Sequence, residues 1–242
     1  MKTLLEIDAG NTFIKWRKWH GNLVVDQQQL LTKDVRDQGI EYTRQWSDVE
    51  AVTLVSVAGT EVNEQLYQVL KPLGVDYVDV VVSDQYLGLK NGYEHPAQMG
   101  ADRWVAMISA WKAFNSAFCV VDAGSAITID LVDVTGQHLG GYILPGLAML
   151  RRSLLGQTAQ VRWQSAAEYQ SHALGRSTAE CVEHGCRYQL AALMHQIERD
   201  CQQAQIANLV LTGGDAALLS PWLKDAQIMP NLVLDGLRYF RG

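Results

Sequence analysis

The sequence predicts a duplicated α/β protein, and three observations carry the prediction. An apolar run ending in Asp8-Ala9-Gly10-Asn11-Thr12 recurs almost half a chain later as an apolar run ending in Asp122-Ala123-Gly124-Ser125. Residues 51–57 form a continuous apolar run of the kind found in strands buried on both faces. Strand-like and helix-like segments alternate along the chain. Two matched turns at this spacing imply two matched halves.

Phe13, Ile14 and Trp16 alternate imperfectly with Lys15, Arg17 and Lys18, and Gly21-Asn22 separates that run from Leu23-Val24-Val25. The chain therefore opens on three antiparallel strands. Residues 33–48, polar with scattered apolar positions, read as a helix. The buried strand over 51–57 ends in small residues ahead of a helix over 61–70, and ends of central strands in such sheets face a ligand crevice. Residues 77–82 are the next strand, and an irregular loop over 83–99 carries the Asn91-Gly92-Tyr93 turn. Gly100-Ala101-Asp102-Arg103 then opens a helix whose Trp104, Met107, Ile108 and Trp111 recur at helical spacing as a core stripe.

The halves divide near 115, giving domains over 1–114 and 115–242. Residues 118–121 form a strand, 127–134 its return, Thr135-Gly136-Gln137 a turn and 138–146 a third strand. Pro145-Gly146 leads into a helix over 147–155, whose Arg151-Arg152 read first as a solvated face and second as the lining of an interface. After a loop, Ser177 and Glu180 form the capping box of a long helix reaching about Gln203. Residues 208–212 are a strand running into Gly213-Gly214 at a helix start, and the tail over 218–242 reads as a helix and a closing strand or helix.

A strand, a tight turn with small polar residues and a returning strand present main-chain N–H groups to whatever lies above them, which makes a phosphate cradle. Asp8, closing the first strand, repels a phosphate unless a cation lies between them, and Mg2+ held by a carboxylate plus substrate phosphates is the common arrangement. Lys15, just past the turn, either reaches toward a phosphate or is a solvated strand lysine. Asp122 is a turn residue, an Mg2+-side carboxylate or a ligand to another cation. Asp102 either complements the helix dipole or accepts a hydroxyl proton, with Arg103 beside it as a fork for a carboxylate. Thr178 falls in the first turn of the long helix, where N–H groups are free to meet an anion, although a cap alone explains the motif.

Asp8-x-Gly10-Asn11-Thr12 and Asp122-x-Gly124-Ser125-Ala126-x-Thr128 resemble the two phosphate motifs of the actin, Hsp70 and sugar kinase superfamily, and most closely those of the type III pantothenate kinases. The resemblance spans nearly the whole chain with its motifs in order. It implies two duplicated ribonuclease H-like, actin-like ATPase domains with a cleft between them, ATP bound there, and transfer of phosphate to pantothenate in the first step of coenzyme A biosynthesis. It implies ATP and phosphate contacts from Asp8, Ala9, Gly10, Asn11, Thr12, Phe13, Ile14, Lys15, Ser125, Gly213 and Gly214. Pantothenate contacts fall to Tyr93, Gly100, Ala101, Asp102, Arg103 and Thr178, the last donated across a homodimer interface, with Asp102 as catalytic base. Asp122 would hold a monovalent cation, K+ or NH4+, and Asp8 would stand on the Mg2+ side. Ser125 departs from the threonine more usual at its position but keeps the hydroxyl.

Two other readings stay open. A non-enzymatic accessory regulator of transcription related to this family has no chemical need for Asp8, Asp102, Arg103 and Thr178 together. Sugar kinases of the superfamily are usually longer and carry polar clusters for ring hydroxyls, which this chain lacks. A net charge of −6 over 242 residues gives no electrostatic footprint for nucleic acid or an anionic membrane. The four cysteines, at 119, 181, 186 and 201, show no zinc spacing and read as reduced, mostly buried thiols. Glu6 and Asp8 interrupt the N-terminal apolar run too early for a signal core, so the expectation is a cytoplasmic protein.

Overall fold

The computed structural model describes residues 2–38, 45–155 and 174–241. The chain divides into two compact units, Met1–Asn115 with Thr135–His138 and Asn231–Gly242, and Ser116–Val134 with Leu139–Pro230. The last twelve residues, which follow the second half in sequence, thus belong to the first unit.

The first unit is built on a five-stranded sheet of order β3-β2-β1-β4-β5. Its strands are β1 (Thr3–Ala9), β2 (Phe13–His20), β3 (Leu23–Leu31), β4 (Ala51–Ser56) and β5 (Asp76–Asp79). β1, β2 and β3 are antiparallel neighbours, whereas β4 runs parallel to β1 and β5 parallel to β4. Alternation along β1 puts Leu5, Ile7 and Ala9 on one face, where they pack with Ile14, Trp16, Val52 and Leu54. Helix α1 (Thr32–Gln38) and helix α2 (Thr60–Leu70) follow β3 and β4, and α2 adds Val62, Leu66 and Leu70 to this core at helical spacing. The helix expected over 33–48 ends at Gln38; residues 39–44 lie outside the described residues and 45–48 form a turn. β5 stops at Asp79 instead of reaching 82, because its partner β4 leaves the sheet soon after Leu54, the residue paired with Asp79.

The loop over 83–99 contains a small hairpin, β6 (Gln85–Tyr86) with β7 (Leu89–Lys90), before helix α3 (Ala101–Phe114). Trp104, Met107 and Ile108 are fully buried and Trp111 nearly so, as their spacing requires.

The second unit repeats the plan. Its sheet has the order β10-β9-β8-β11-β12, with β8 (Phe118–Ala123), β9 (Ala126–Val132), β10 (His138–Pro145), β11 (Asn208–Thr212) and β12 (Gln227–Ile228). β8 is antiparallel to β9 and parallel to β11, as β1 is to β2 and β4. Helix α4 (Leu147–Leu155) and helix α5 (Thr178–Gln203) carry the rest of its core, with Cys186, Leu190, Met194 and Ile197 of α5 meeting Val121, Ile127 and Ile129. The loop expected between these helices lies largely outside the described residues. Ser177 Oγ accepts from Glu180 N at 3.2 Å, so the cap read from sequence is in place. Cys119, Cys186 and Cys201 are buried free thiols and Cys181 is exposed. Helix α6 (Ala216–Leu219) follows β11, and helix α7 (Leu232–Leu237) closes the chain within the first unit. Among the described residues no helix is long and apolar enough to cross a membrane.

Candidate active site

Each phosphate motif sits in the tip between the first two strands of its sheet, and the two tips are hydrogen-bonded alike. Gly10 N donates to Phe13 O at 2.9 Å, and Gly124 N donates to Ala126 O at 3.0 Å. The chain beyond the third strand returns to each tip: Thr32 N donates to Thr12 O at 2.9 Å, and Gly146 N to Ser125 O at 3.0 Å. The segment after the fourth strand does the same for the two alanines, with Val57 N on Ala9 O at 2.9 Å and Asp215 N on Ala123 O at 2.8 Å. Duplication therefore extends from strand order to individual main-chain bonds.

In the first tip Ala9 and Ile14 are buried, Asn11, Thr12 and Phe13 are exposed, and Gly10 is half-buried between them. Asp8 and Lys15 are partners in the β1–β2 register and both are half-buried, so a carboxylate and an ammonium share the mouth of this turn. In the second tip Asp122 and Ser125 are half-buried. Gly213, with φ of +89°, lies directly against Asp122: a β-carbon there would collide with Asp122 Oδ1 and stand 2.5 Å from the Ala123 carbonyl oxygen. Gly214 faces open space. The two glycines thus do different work, Gly213 admitting the Asp122 carboxylate and Gly214 leaving the surface bare.

Asp215, next in line, occupies the N-cap position of α6 without a side-chain capping bond, and burial raises its carboxyl above the ordinary carboxylate range against the opposing pull of Arg151. This residue was assigned nothing from the sequence; an acid directly after Gly-Gly at a strand exit was the available signal. Arg151, expected on a solvated face, instead donates through Nε to Glu183 Oε2 at 2.7 Å, while Arg152 is exposed. Glu183 is 1% exposed and also accepts from Arg187 Nε at 2.7 Å. Nothing in the spacing of Arg151 shows that a buried acid on α5 waits opposite it.

The acceptor-side residues of the first unit gather at the start of α3. Gly100 is the N-cap, and a β-carbon on it would lie 2.7 Å from Asp102 Oδ1, so the missing side chain lets that carboxylate fold back over the helix start. Asp102 Oδ1 accepts from Arg103 N at 2.8 Å, and Ala101 and Asp102 stay half-buried. Arg103, 6% exposed, donates from Nη1 to Tyr93 Oη at 2.7 Å. Tyr93 is held in turn by its own N–H on Asn91 Oδ1 at 2.9 Å. A guanidinium and a phenol from two separate sequence motifs are therefore joined, and the Asp102 carboxylate lies in the same first helical turn as the guanidinium.

Thr178 opens α5 and is exposed. It borders a groove of about 460 Å³ lined also by Leu150, Leu154, Cys181, Val182 and Gln189, none of which the sequence reading marked for the site.

A family model described as type III pantothenate kinase matches residues 4–200. A type III pantothenate kinase of Marinobacter nauticus is 37% identical over 237 residues, covering 97% of this chain and 96% of its own. One from Pseudomonas aeruginosa is 36% identical over 248 residues, covering 97% of each. Among solved structures, the ethanolamine utilization protein EutJ of Carboxydothermus hydrogenoformans has a similar fold at 11% identity, with a TM-score of 0.53 over 100% of this chain and 90% of its own. The activator of 2-hydroxyisocaproyl-CoA dehydratase from Clostridium difficile, solved with bound ADPNP, gives 0.51 at 8% identity over 98% and 93%. These structures share the fold alone, but the family model and the near full-length relatives carry the assignment: the chain belongs to the type III pantothenate kinase family.

Proposed function

We propose that the chain transfers the γ-phosphoryl group of ATP to the primary hydroxyl of pantothenate, giving 4'-phosphopantothenate at the first step of coenzyme A biosynthesis. The observation that carries this reading is the Arg103–Tyr93 hydrogen bond at the start of the helix that bears Asp102, in a chain of this family. Arg103 supplies a planar fork for the pantothenate carboxylate, with Tyr93 Oη steadying it, and Gly100 and Ala101 leave the approach uncrowded. Asp102 accepts the hydroxyl proton as the oxygen attacks. Because phosphoryl transfer runs through a loose transition state, most of the rate comes from holding the two reactants in line.

The Asp8–Lys15 turn offers main-chain N–H groups, the exposed Asn11 and Thr12 and the Lys15 ammonium to the ATP phosphates, and Ser125 offers its hydroxyl from the second tip. Gly213 and Gly214 form the approach for the adenosine. Among the described residues no three His, Cys, Asp or Glu side chains gather into a protein-only metal cage. Asp8, half-buried at the end of β1, would stand on the side of an Mg2+ ion that takes most of its ligands from water and the ATP phosphates. Bound Mg2+ supplies neutralisation of the phosphate charge. Asp122, half-buried against Gly213, would hold a monovalent cation, K+ or NH4+.

The proposed enzyme is a cytoplasmic homodimer, in which Thr178 of one protomer completes the pantothenate site of the other. Support comes from exposed apolar side chains on α4 and α5, Met149, Leu154 and Tyr188, of which Leu154 lines the groove that Thr178 borders. The test is transfer from radiolabelled ATP with pantothenate and a panel of hexoses as acceptors. Label is expected in 4'-phosphopantothenate alone; label in a hexose, or none in pantothenate with Mg2+ and K+ present, overturns the proposal.

A further inference from the structure

The turn between β9 and β10, Thr135–His138, packs within the first unit against the loop that carries Tyr93. Lys90 N donates to Gly136 O at 2.8 Å, and Lys90 bridges to Gln137 in parallel fashion. Gly136 has φ of +79°, and a β-carbon there would stand 2.5 Å from Gly88 O and 3.1 Å from the Trp111 ring. A β-carbon on Gly92 would collide with the His138 carbonyl oxygen. His138 is 1% exposed, and its ring lies 6.1 Å from that of Tyr93 with 21° between the planes. A glycine on each segment pressed against the other segment's backbone, a main-chain bond and a ring pair make this a fitted contact.

We propose that His138 is a positioning residue for the acceptor site, acting through Tyr93. The imidazole stacks on the phenol and sets its plane, and that plane decides where Oη meets Arg103 Nη1. Arg103 Cζ lies 5.6 Å from the Tyr93 ring centroid, so both neighbours fix a side chain that otherwise has two free torsions. Gly92 and Gly136 are the small residues that let the turn come close enough for His138 to do this. The inference rests on the reading that Tyr93 and Arg103 hold pantothenate.

Steady-state constants for pantothenate and ATP, measured separately on the full chain with melting temperatures, test it. His138→Ala is expected to raise KM for pantothenate about three- to tenfold, the range of an aromatic pair, with KM for ATP within about twofold of the parent. His138→Phe keeps the ring and is expected to stay near the parent; His138→Gln keeps polar atoms without the ring and is expected to follow His138→Ala. Gly92→Ala, which keeps the His138 ring in the chain but drives its backbone away from the Tyr93 loop, is expected to show the same selective rise and stands in should His138→Ala fail to fold. Parallel rises in both KM values, a Gln variant closer to the parent than the Phe variant, or an unchanged pantothenate KM in Gly92→Ala overturns the inference. Tyr93→Phe separates the two levels. A raised pantothenate KM in Tyr93→Phe beside parent values for every His138 variant sinks the positioning role alone, whereas no change in Tyr93→Phe sinks the reading beneath it.

Discussion

Asp102 is placed by its neighbour's missing side chain: only glycine at position 100 leaves room for Oδ1 to turn back and accept from Arg103 N. Asp102→Asn keeps an oxygen for that bond and removes the base. Turnover is expected to fall by about a hundredfold or more, the usual scale of a general base, with KM for ATP little changed. Equal turnover in variant and parent would remove Asp102 from its role. Gly213 is constrained more tightly, by a positive φ and by a carboxylate and a carbonyl where a β-carbon would go. Gly213→Ala is expected to cost about 1–3 kcal/mol, read as a lowered melting temperature, since the obstruction includes backbone. Gly214→Ala, into open space, serves as its control and is expected to melt near the parent. At this scale the sequence marked both glycines by their place after a strand, but only contact with Asp122 tells them apart.

Helix α5 shows what was legible one level up and what was not. Its start was readable because Ser177 and Glu180 are local to each other, and Ser177→Ala is expected to cost about 1 kcal/mol in a denaturant melt. The reciprocal half of the box differs: Glu180 Oε2 accepts from Arg176 N at 2.6 Å, one residue ahead of the cap. Glu183 was silent in the sequence, because a buried acid mid-helix is recognisable only by partners on another helix. Burial pushes its carboxyl up, but the hydrogen bonds from Arg151 and Arg187 outweigh burial and hold it below the ordinary carboxylate range. A carboxyl depressed in the folded state contributes stability above its unfolded pKa and loses it as pH falls through the folded one. Glu183→Gln should therefore melt below the parent at pH 7, by about 1.5–3 kcal/mol for charge-assisted bonds, and the gap should narrow below about pH 4.5. A gap that stays constant from pH 7 to pH 3 would show that shape, not charge, holds α4 against α5.

At the scale of the whole chain, the duplication was legible because each half repeats its turn sequence. The return of the C-terminus to the first unit was not, since an apolar tail carries no address. Yet the interior of that unit depends on it. Leu232, Leu234 and Leu237 are at most 1% exposed, and Gly236 meets α3 so closely that a β-carbon would stand 2.6 Å from Val105 Cγ1 and the Val105 carbonyl. Beyond α7, Tyr86 Oη donates to Tyr239 O at 2.7 Å, its ring stacks on Phe240 at 4.6 Å, and Arg241 pairs with the fully buried Glu6 of β1. Glu6 also accepts from Arg17 Nε and Trp19 Nε1, each at 2.8 Å, and Arg17 Nη1 donates to Asp235 Oδ1 at 2.7 Å, so the tail completes a charge cluster on the sheet face that bears Asp8. Burying three leucines contributes about 5–9 kcal/mol against a whole-domain stability of about 5–15 kcal/mol. Deleting 231–242 is therefore expected to abolish cooperative unfolding of the first unit and to expose the amides of α3 to rapid hydrogen exchange. A truncated chain that keeps the parent's exchange protection in α3 would mean that the sheet and α2 hold the unit together without the tail. In that case the Glu6 cluster would have to be stable with Arg17 and Trp19 alone.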